Sequence, residues 1–295
     1  MRLVTFRHSG TTAVGIQTEE GIVPLDKAVP DAPRTMLDVI AAGKGLLSRL
    51  QTGLDAARAA ALPLEQVTIT APVPVPKQNI LCVGKNYYDH ANEFQDSGFD
   101  ASSGGQSIPD VPIFFTKATT SVIGPEDEII SALDRDNTVD YEGELTVVIG
   151  KGGRHIKAEN AFDHVYGYTI INDVTARATQ QRHKQWFLGK SFDTFCPMGP
   201  TIVTADEVPD VTTLHMETRV NDEIRQSVSV KDLIFDIPTM IETASRGMTL
   251  QPGDLLATGT PAGVGIGFDP PRYLKAGDVV SVRVEPIGTL TNRVA

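Results

Sequence analysis

From residue 76 onward the chain is a succession of short runs rich in β-branched, apolar and aromatic residues: "NILCVG", "PIFFTK", "ELTVVIG", "VYGYTIIND", "PTIVT", "LHMETRVND", "LLATGT" and "VVSVRVEP". Each is about the length of a strand and is closed off by Gly, Pro or Asp. Many such runs with few helical segments between them do not make a βαβ wind, so the pattern predicts an α+β fold that is predominantly β. Only two later stretches read as helices. One is "VTARATQQRHKQ" after Asp173; the other is "DIPTMIETASRG", with Pro238 in its first turn and Gly247 past its end.

The first part is different. "MRLVTFRHSGTTAVGIQTEEGIVPL" reads as a β-meander broken at Ser9-Gly10 and Glu20-Gly21, and "TMLDVIAAGKGLLSRLQTGLDAARAAA" places apolar residues at helical spacing with glycines that split it. The stiff connector "APVPVPKQN" follows, which puts a boundary at about residue 75: a small α+β domain over 1–75 and a larger β-rich domain over 76–295. The Gly- and Ser-rich segment from Phe94 to Asp110 has little to bury and reads as a mobile loop.

Composition narrows the function classes. With 295 residues, 41% of them hydrophobic, the chain can bury a real core, and a formal charge of −11 argues against a nucleic-acid partner, which needs clustered Lys and Arg. No apolar run approaches the roughly 18 residues of a spanning helix, and the start lacks the apolar core of a signal peptide, so neither a membrane nor export is expected. Cys82 and Cys196 are too far apart for a thiolate metal motif, and a reducing cytoplasm is the expected location.

The sequence "DYEGELTVVIG" carries the sharpest chemical signal. In an extended strand Asp140, Glu142 and Glu144 would share one face, with Tyr141, Leu145 and Val147 on the other. A solvated strand face is the plain explanation for such alternation. Against it, Gly143 omits a side chain between the glutamates, and the run continues into residues typical of a buried element. Carboxylates held together away from water must share a proton or a cation. Asp173, after "YGYTIIN", is a further acid at the end of a buried-looking run. Two glutamates and an aspartate without Cys or clustered His form a hard, all-oxygen ligand set suited to Mg²⁺, Mn²⁺ or Ca²⁺.

Other motifs are weaker alone. If a helix begins after Asp173, Arg177 and Gln180 share its face. His90 and Glu93, three apart, could sit on one helical turn with the carboxylate orienting the imidazole as a general base. Lys190 in "GKSFD" fails as a phosphate-loop lysine, because Lys184 stands where that motif needs Gly. "GTPAGVGIG" fails as a dinucleotide fingerprint and reads as a Gly-rich turn, so NAD or ATP chemistry is disfavoured.

Taken in order, "CVGKNYYDHANEF", "PIFFTKATTSVIGP", "DYEGELTVVIG", "VYGYTIINDVTARATQ", "GKSFDTFCPMGP", "VNDEIRQ" and "PGDLLATGTPAGVG" resemble the fumarylacetoacetate hydrolase family, over about residues 76 to 290. The resemblance implies a mixed β-roll catalytic domain behind a small N-terminal domain, usually as a homodimer. It implies one Mg²⁺ or Mn²⁺ per site held by Glu142, Glu144 and Asp173, with Asp140 supporting from behind. It further implies a His90/Glu93 pair on a lid helix, Lys190 as an oxyanion stabiliser, and substrate contacts from Arg177, Gln180 and Thr260, with Lys117 and Ser121 nearby.

Family substrates are 2-oxo acids with a second activating group. The reaction the resemblance favours is hydrolysis of the C3–C4 bond of an acylpyruvate or related 2,4-dioxo acid, with His90 activating water and Lys190 stabilising the developing oxyanion, to give a pyruvate and a carboxylic acid. Oxaloacetate decarboxylation and isomerisation of hydroxy-dienedioates use the same chemistry and stand as alternatives. A non-catalytic metal-binding module would be expected to have lost at least one of Glu142, Glu144, Asp173, Lys190 or His90, and all are present.

Overall fold

The computed structural model describes residues 1–98 and 108–295, so most of the segment expected to be a mobile loop lies outside the described residues. The N-terminal meander forms as expected, from β1 (Arg2–His8), β2 (Thr11–Thr18) and β3 (Gly21–Pro24), antiparallel throughout. After a single turn, α1 (Leu25–Ala28), comes α2 (Met36–Ala57), kinked at Gly43, whose φ of 65° is non-helical. Thr35 caps α2 by accepting from the Asp38 amide. The short β4 (Thr68–Thr70) returns to β1.

The larger part begins with β5 (Ile80–Gly84), α3 (Tyr88–Asp96), β6 (Ile113–Lys117) and β7 (Val122–Ile123). Then follow β8 (Val139–Asp140), β9 (Gly143–Ile149), β10 (Val165–Asn172) and β11 (Thr175–Ala176), and the short helices α4 (Arg177–His183) and α5 (Phe187–Lys190). The chain closes with β12 (Cys196–Thr204), β13 (His215–Val220), β14 (Glu223–Ser229), α6 (Ile237–Ser245), β15 (Leu255–Ala257), β16 (Val279–Val284) and β17 (Gly288–Arg293).

Among the described residues, one large sheet runs β3-β2-β1-β12-β10-β9-β15-β5-β6, with β4 on β1 and β7 on β12, and a second has the order β14-β13-β16-β17. The sheet passes across the proline connector, because β1 pairs with β12. One apolar cluster likewise joins Leu3, Ile40 and Leu50 from the first 75 residues to Ile80, Val148 and Ile202.

The second sheet packs on the opposite face, where Leu145, Val147 and Ile170 meet Met216, Val282, Val284 and the α6 residues Met240 and Ile241. Strand β9 is therefore covered on both sides, and the solvated-face explanation of its glutamates fails. Gly143 is where the second sheet comes closest: a Cβ there would lie 2.3 Å from the Thr218 hydroxyl and 3.0 Å from Val282. The sequence had marked this omitted side chain, and close sheet packing is its reason.

Candidate active site

The site grows out of the β9–β10 register. Antiparallel pairing sets Ile171 opposite Glu144 and Asn172 opposite Gly143, which brings the end of β10 beside the glutamates. Two further bonds lock the crossing: the Asp173 amide donates to the Glu142 carbonyl at 2.7 Å, and the Glu142 amide to the Asn172 side chain at 2.9 Å. Glu142, Glu144 and Asp173 thereby present carboxylate oxygens within 4.8 Å of one another, all buried.

Asp140 does not join them. The strand breaks after it, and β8 pairs instead with β11. The Asp140 carboxylate turns to the Arg177 Nε at 2.9 Å and to the amides of Gly265 and Ile266 at 2.6 and 3.1 Å.

Three buried cations surround the acids. Lys190 Nζ lies 2.7 Å from both Glu142 and Asp173, and Arg177 Nη1 lies 2.7 Å from Glu142. Lys117 Nζ donates to Asp173 at 2.6 Å, to the Val174 carbonyl at 3.1 Å and to the Lys190 carbonyl.

These partners divide the carboxylates. Burial would raise the Glu142 carboxyl, but Lys190 and Arg177 outweigh it and hold it well below the usual range. Burial also raises Glu144, and there Asp173 and Glu142 push the same way, so its carboxyl lies well above the usual range. Among the described residues Glu144 has no ion pair; its recorded partner is the Gly259 amide at 2.8 Å. Three buried carboxylates whose oxygens lie in one another's neighbourhood, with no ion pair on Glu144 among the described residues, form a donor set that a hard divalent cation fits.

The other half of the site sits on α3. His90 Nδ1 lies 3.2 Å from Glu93 Oε2, and the other Glu93 oxygen accepts from the Gly263 amide at 2.9 Å. Phe94, on the same helix, packs edge-on against Trp186.

His90, Glu142, Glu144, Arg177, Lys190 and Thr260 line one pocket, with Gln180 and Lys85 also in its wall. Seven of the twelve residues singled out in the sequence thus share that wall (His90, Glu142, Glu144, Arg177, Gln180, Lys190 and Thr260). Asp173 stands behind it with its oxygens in the cluster, and Glu93 backs His90.

Lys117, expected near the substrate contacts, lies beneath the pocket wall. All three of its ammonium protons are used on protein acceptors beneath the pocket, so its contact is with Asp173. Ser121 likewise donates to the Ala118 carbonyl, away from the pocket wall. The helix after Asp173 also starts later than expected, at Arg177, because Thr175 and Ala176 are taken into β11.

Sequence reasoning missed Lys85, which lines the pocket in a left-handed backbone conformation (φ 56°), and Gln226. It also undervalued "GTPAGVGIG". Backbone amides of that segment hold Glu144, Glu93 and Asp140, and Gly263 (φ 101°) runs so near β14 that a Cβ would lie 1.8 Å from the Arg225 carbonyl. The density of glycines was the signal, since amides that must reach several carboxylates need a backbone without side chains in the way.

A strand-dominated fold with a buried carboxylate trio facing a His/Glu pair defines the class, and the comparison agrees: the chain belongs to the fumarylacetoacetate hydrolase family, residues 79–295 matching the fumarylacetoacetate (FAA) hydrolase C-terminal model. Among curated relatives, oxaloacetate tautomerase YisK of Bacillus subtilis is 52% identical over 231 residues, which span 78% of this chain and 74% of that protein. The human mitochondrial oxaloacetate tautomerase FAHD2A is 41% identical over 300 residues, covering 100% of this chain and 91% of the relative. Among solved structures, maleylpyruvate hydrolase from Sphingobium sp. SYK-6, in complex with manganese(II) and pyruvate, superposes with a TM-score of 0.79 at 33% identity, covering 100% of this chain and 99% of the other. Among the described residues no helix is long and apolar enough to cross a membrane.

Proposed function

We propose that this protein is a divalent-cation-dependent oxaloacetate tautomerase, interconverting the keto and enol forms of a small 2-oxo dicarboxylic acid. The observation that carries the reading is a single pocket walled by the carboxylates Glu142 and Glu144, the unspent guanidinium nitrogen of Arg177 and the Glu93-backed imidazole of His90. The names of the relatives at 52% and 41% identity favour tautomerisation over the other reactions of the family. A Mg²⁺ or Mn²⁺ ion held by Glu142, Glu144 and Asp173 would polarise the 2-oxo group as a Lewis acid.

The chain's own residues then divide the work. Among the described residues Arg177 Nη2 is buried without a hydrogen-bond partner, and it offers its protons to a substrate carboxylate. Gln180, held by Arg177 at 3.2 Å, stands beside it in the wall. Two of the three Lys190 protons go to Glu142 and Asp173, and the third is available to the oxygen on which negative charge develops. His90 takes a proton from C3 through Nε2, while Glu93 holds Nδ1 and balances the imidazolium. The same nitrogen returns the proton to the C2 oxygen. One C–H bond breaks, one O–H bond forms and no water is consumed.

The test follows the ultraviolet absorbance of enol-oxaloacetate as it converts to the keto form, with Mg²⁺ or Mn²⁺ and again after chelation. Acceleration that needs the metal and is lost in His90→Ala is expected; a rate equal to the uncatalysed one overturns the reading.

A second reading is hydrolysis of an acylpyruvate, favoured by the likeness to maleylpyruvate hydrolase. There His90 would deprotonate a water that adds to the distal carbonyl, and the C3–C4 bond would break to give a pyruvate and an acid. Pyruvate and carboxylic acid released in equal amounts from acetylpyruvate would establish it. Pyruvate formed from oxaloacetate with loss of CO₂ would point to decarboxylation.

A further inference from the structure

The stretch "VNDEIRQ" has no place in the chemistry above, yet its last residue reaches the site. Gln226 is the most deeply buried residue of β14. Its Nε2 donates at 2.8 Å to the Thr260 hydroxyl and at 2.8 Å to the Pro261 carbonyl, and its Oε1 accepts at 3.1 Å from the Gly143 amide. Two of these partners fix the amide's orientation without ambiguity. A carbonyl can only accept and a backbone amide can only donate, so the nitrogen must face Pro261 and the oxygen Gly143.

The consequence falls on Thr260. Because the group facing it is an N–H, its oxygen must accept, and one lone-pair direction is taken. Its own proton is left to point elsewhere, and among the described residues no acceptor takes it. Thr260 is buried and lines the pocket shared by Arg177, Lys190 and Glu144.

We propose that Gln226 is a positioning residue that turns the Thr260 hydroxyl into a dedicated donor for an anionic oxygen of the substrate, while tying the Gly-rich loop to the strand between the two glutamates. This deepens the 2-oxo acid reading and rests on it. A hydroxyl free to rotate can donate or accept; one held by an N–H discriminates in favour of an acceptor such as a carboxylate or a 2-oxo oxygen.

The experiment measures pyruvate affinity of the Mn²⁺-loaded protein by calorimetry. Thr260→Val should weaken pyruvate about tenfold, the loss typical of a hydrogen bond to a charged group, whereas Thr260→Ser should stay close to wild type. Gln226→Met should weaken pyruvate to a similar degree in the wild-type background and by less than about twofold in Thr260→Val, since the two changes remove one interaction. Gln226→Glu covers the case in which Gln226→Met does not fold. It keeps the Gly143 bond, but a carboxylate takes the Thr260 proton for itself, so pyruvate should again weaken.

A purely structural role predicts losses that add in the double variant, and that result overturns the proposal. So do wild-type affinity in Gln226→Glu, an equal loss in Thr260→Ser and Thr260→Val, or no pyruvate binding by the Mn²⁺-loaded wild type. Failure of the activity reading looks different: pyruvate binds and the variants behave as stated, but oxaloacetate is not tautomerised.

Discussion

The strand half of the site and the helix half are held in opposite ways. Glu144 sits on the buried β9–β10 ladder with Glu142 and Asp173 just past its end, and Lys117, Lys190 and Arg177 tie Glu142 and Asp173 down in ion pairs no longer than 2.7 Å. His90 and Glu93 ride on the nine-residue α3, which is held through the Glu93–Gly263 bond and the packing of Phe94 against Trp186, Val264 and Ile266. The acids are held by buried ion pairs at the end of the sheet, and the His/Glu pair by a helix that docks through apolar packing, an arrangement that suits the proposed division between holding a cation and moving a proton.

The comparison breaks most visibly at His90. His90→Ala should lower tautomerase turnover by about 10²–10⁴-fold, the usual worth of a general base, and leave Mn²⁺ affinity unchanged in a calorimetric titration. A loss of metal binding would mean that the two halves are not separable.

Lys117→Met strikes the other half. Removing one partner of a fully buried pair costs about 3–5 kcal/mol, read as a lower urea midpoint, and Mn²⁺ should bind more weakly because Asp173 loses its anchor. Retained stability and metal affinity would show that Lys117 does not hold the ligand.

Glu144 offers a sign test. Its carboxyl is raised in the fold, so across the window from the ordinary carboxylate range up to that raised value the folded state holds a proton the unfolded state has lost. Stability of the metal-free protein should therefore fall as pH rises through that window. Glu142 has the opposite sign: its stabilising contribution is present above the ordinary carboxylate value and disappears as pH falls through its lowered one. Urea midpoints taken across that window with EDTA should decline with pH, and Mn²⁺ should remove the decline. Glu144→Gln should flatten the EDTA curve and weaken Mn²⁺ binding; an unchanged slope in that variant would place the titration elsewhere.

The smallest effect is expected at the fastening of the helix. Glu93→Gln keeps the shape but removes the charge that supports an imidazolium, so kcat should drop by about tenfold, on the scale of one charge-assisted hydrogen bond, with the urea midpoint little changed. A large stability loss would make Glu93 chiefly a structural tie.

What was legible beforehand had a local cause. The meander turns at Ser9-Gly10 and Glu20-Gly21, the Pro238 start of α6, the kink in α2 and the sequence of short strands all follow from φ/ψ preference and hydrophobic period, which act over a few residues. The acids of "DYEGELTVVIG" and Asp173 could be marked because hard carboxylates on a buried run are costly wherever they occur.

What was not legible needed contacts between distant residues. Nothing in the stretch around Lys117 shows that Asp173, Val174 and Lys190, between 56 and 73 positions away, take all its protons. The Gly-rich turn became a cradle for three carboxylates only once β15 had delivered it beside β9. Gln226 reached Thr260 and Gly143 only because the second sheet stacks on the first. The sequence by itself determined the strand-rich class and marked the acids that come together in the buried cluster, through local conformational preference and the cost of burying charge. Only the tertiary structure decided which cation serves which carboxylate, because a hydrogen bond is satisfied at less than about 3.2 Å and nothing in a linear order of residues measures that distance.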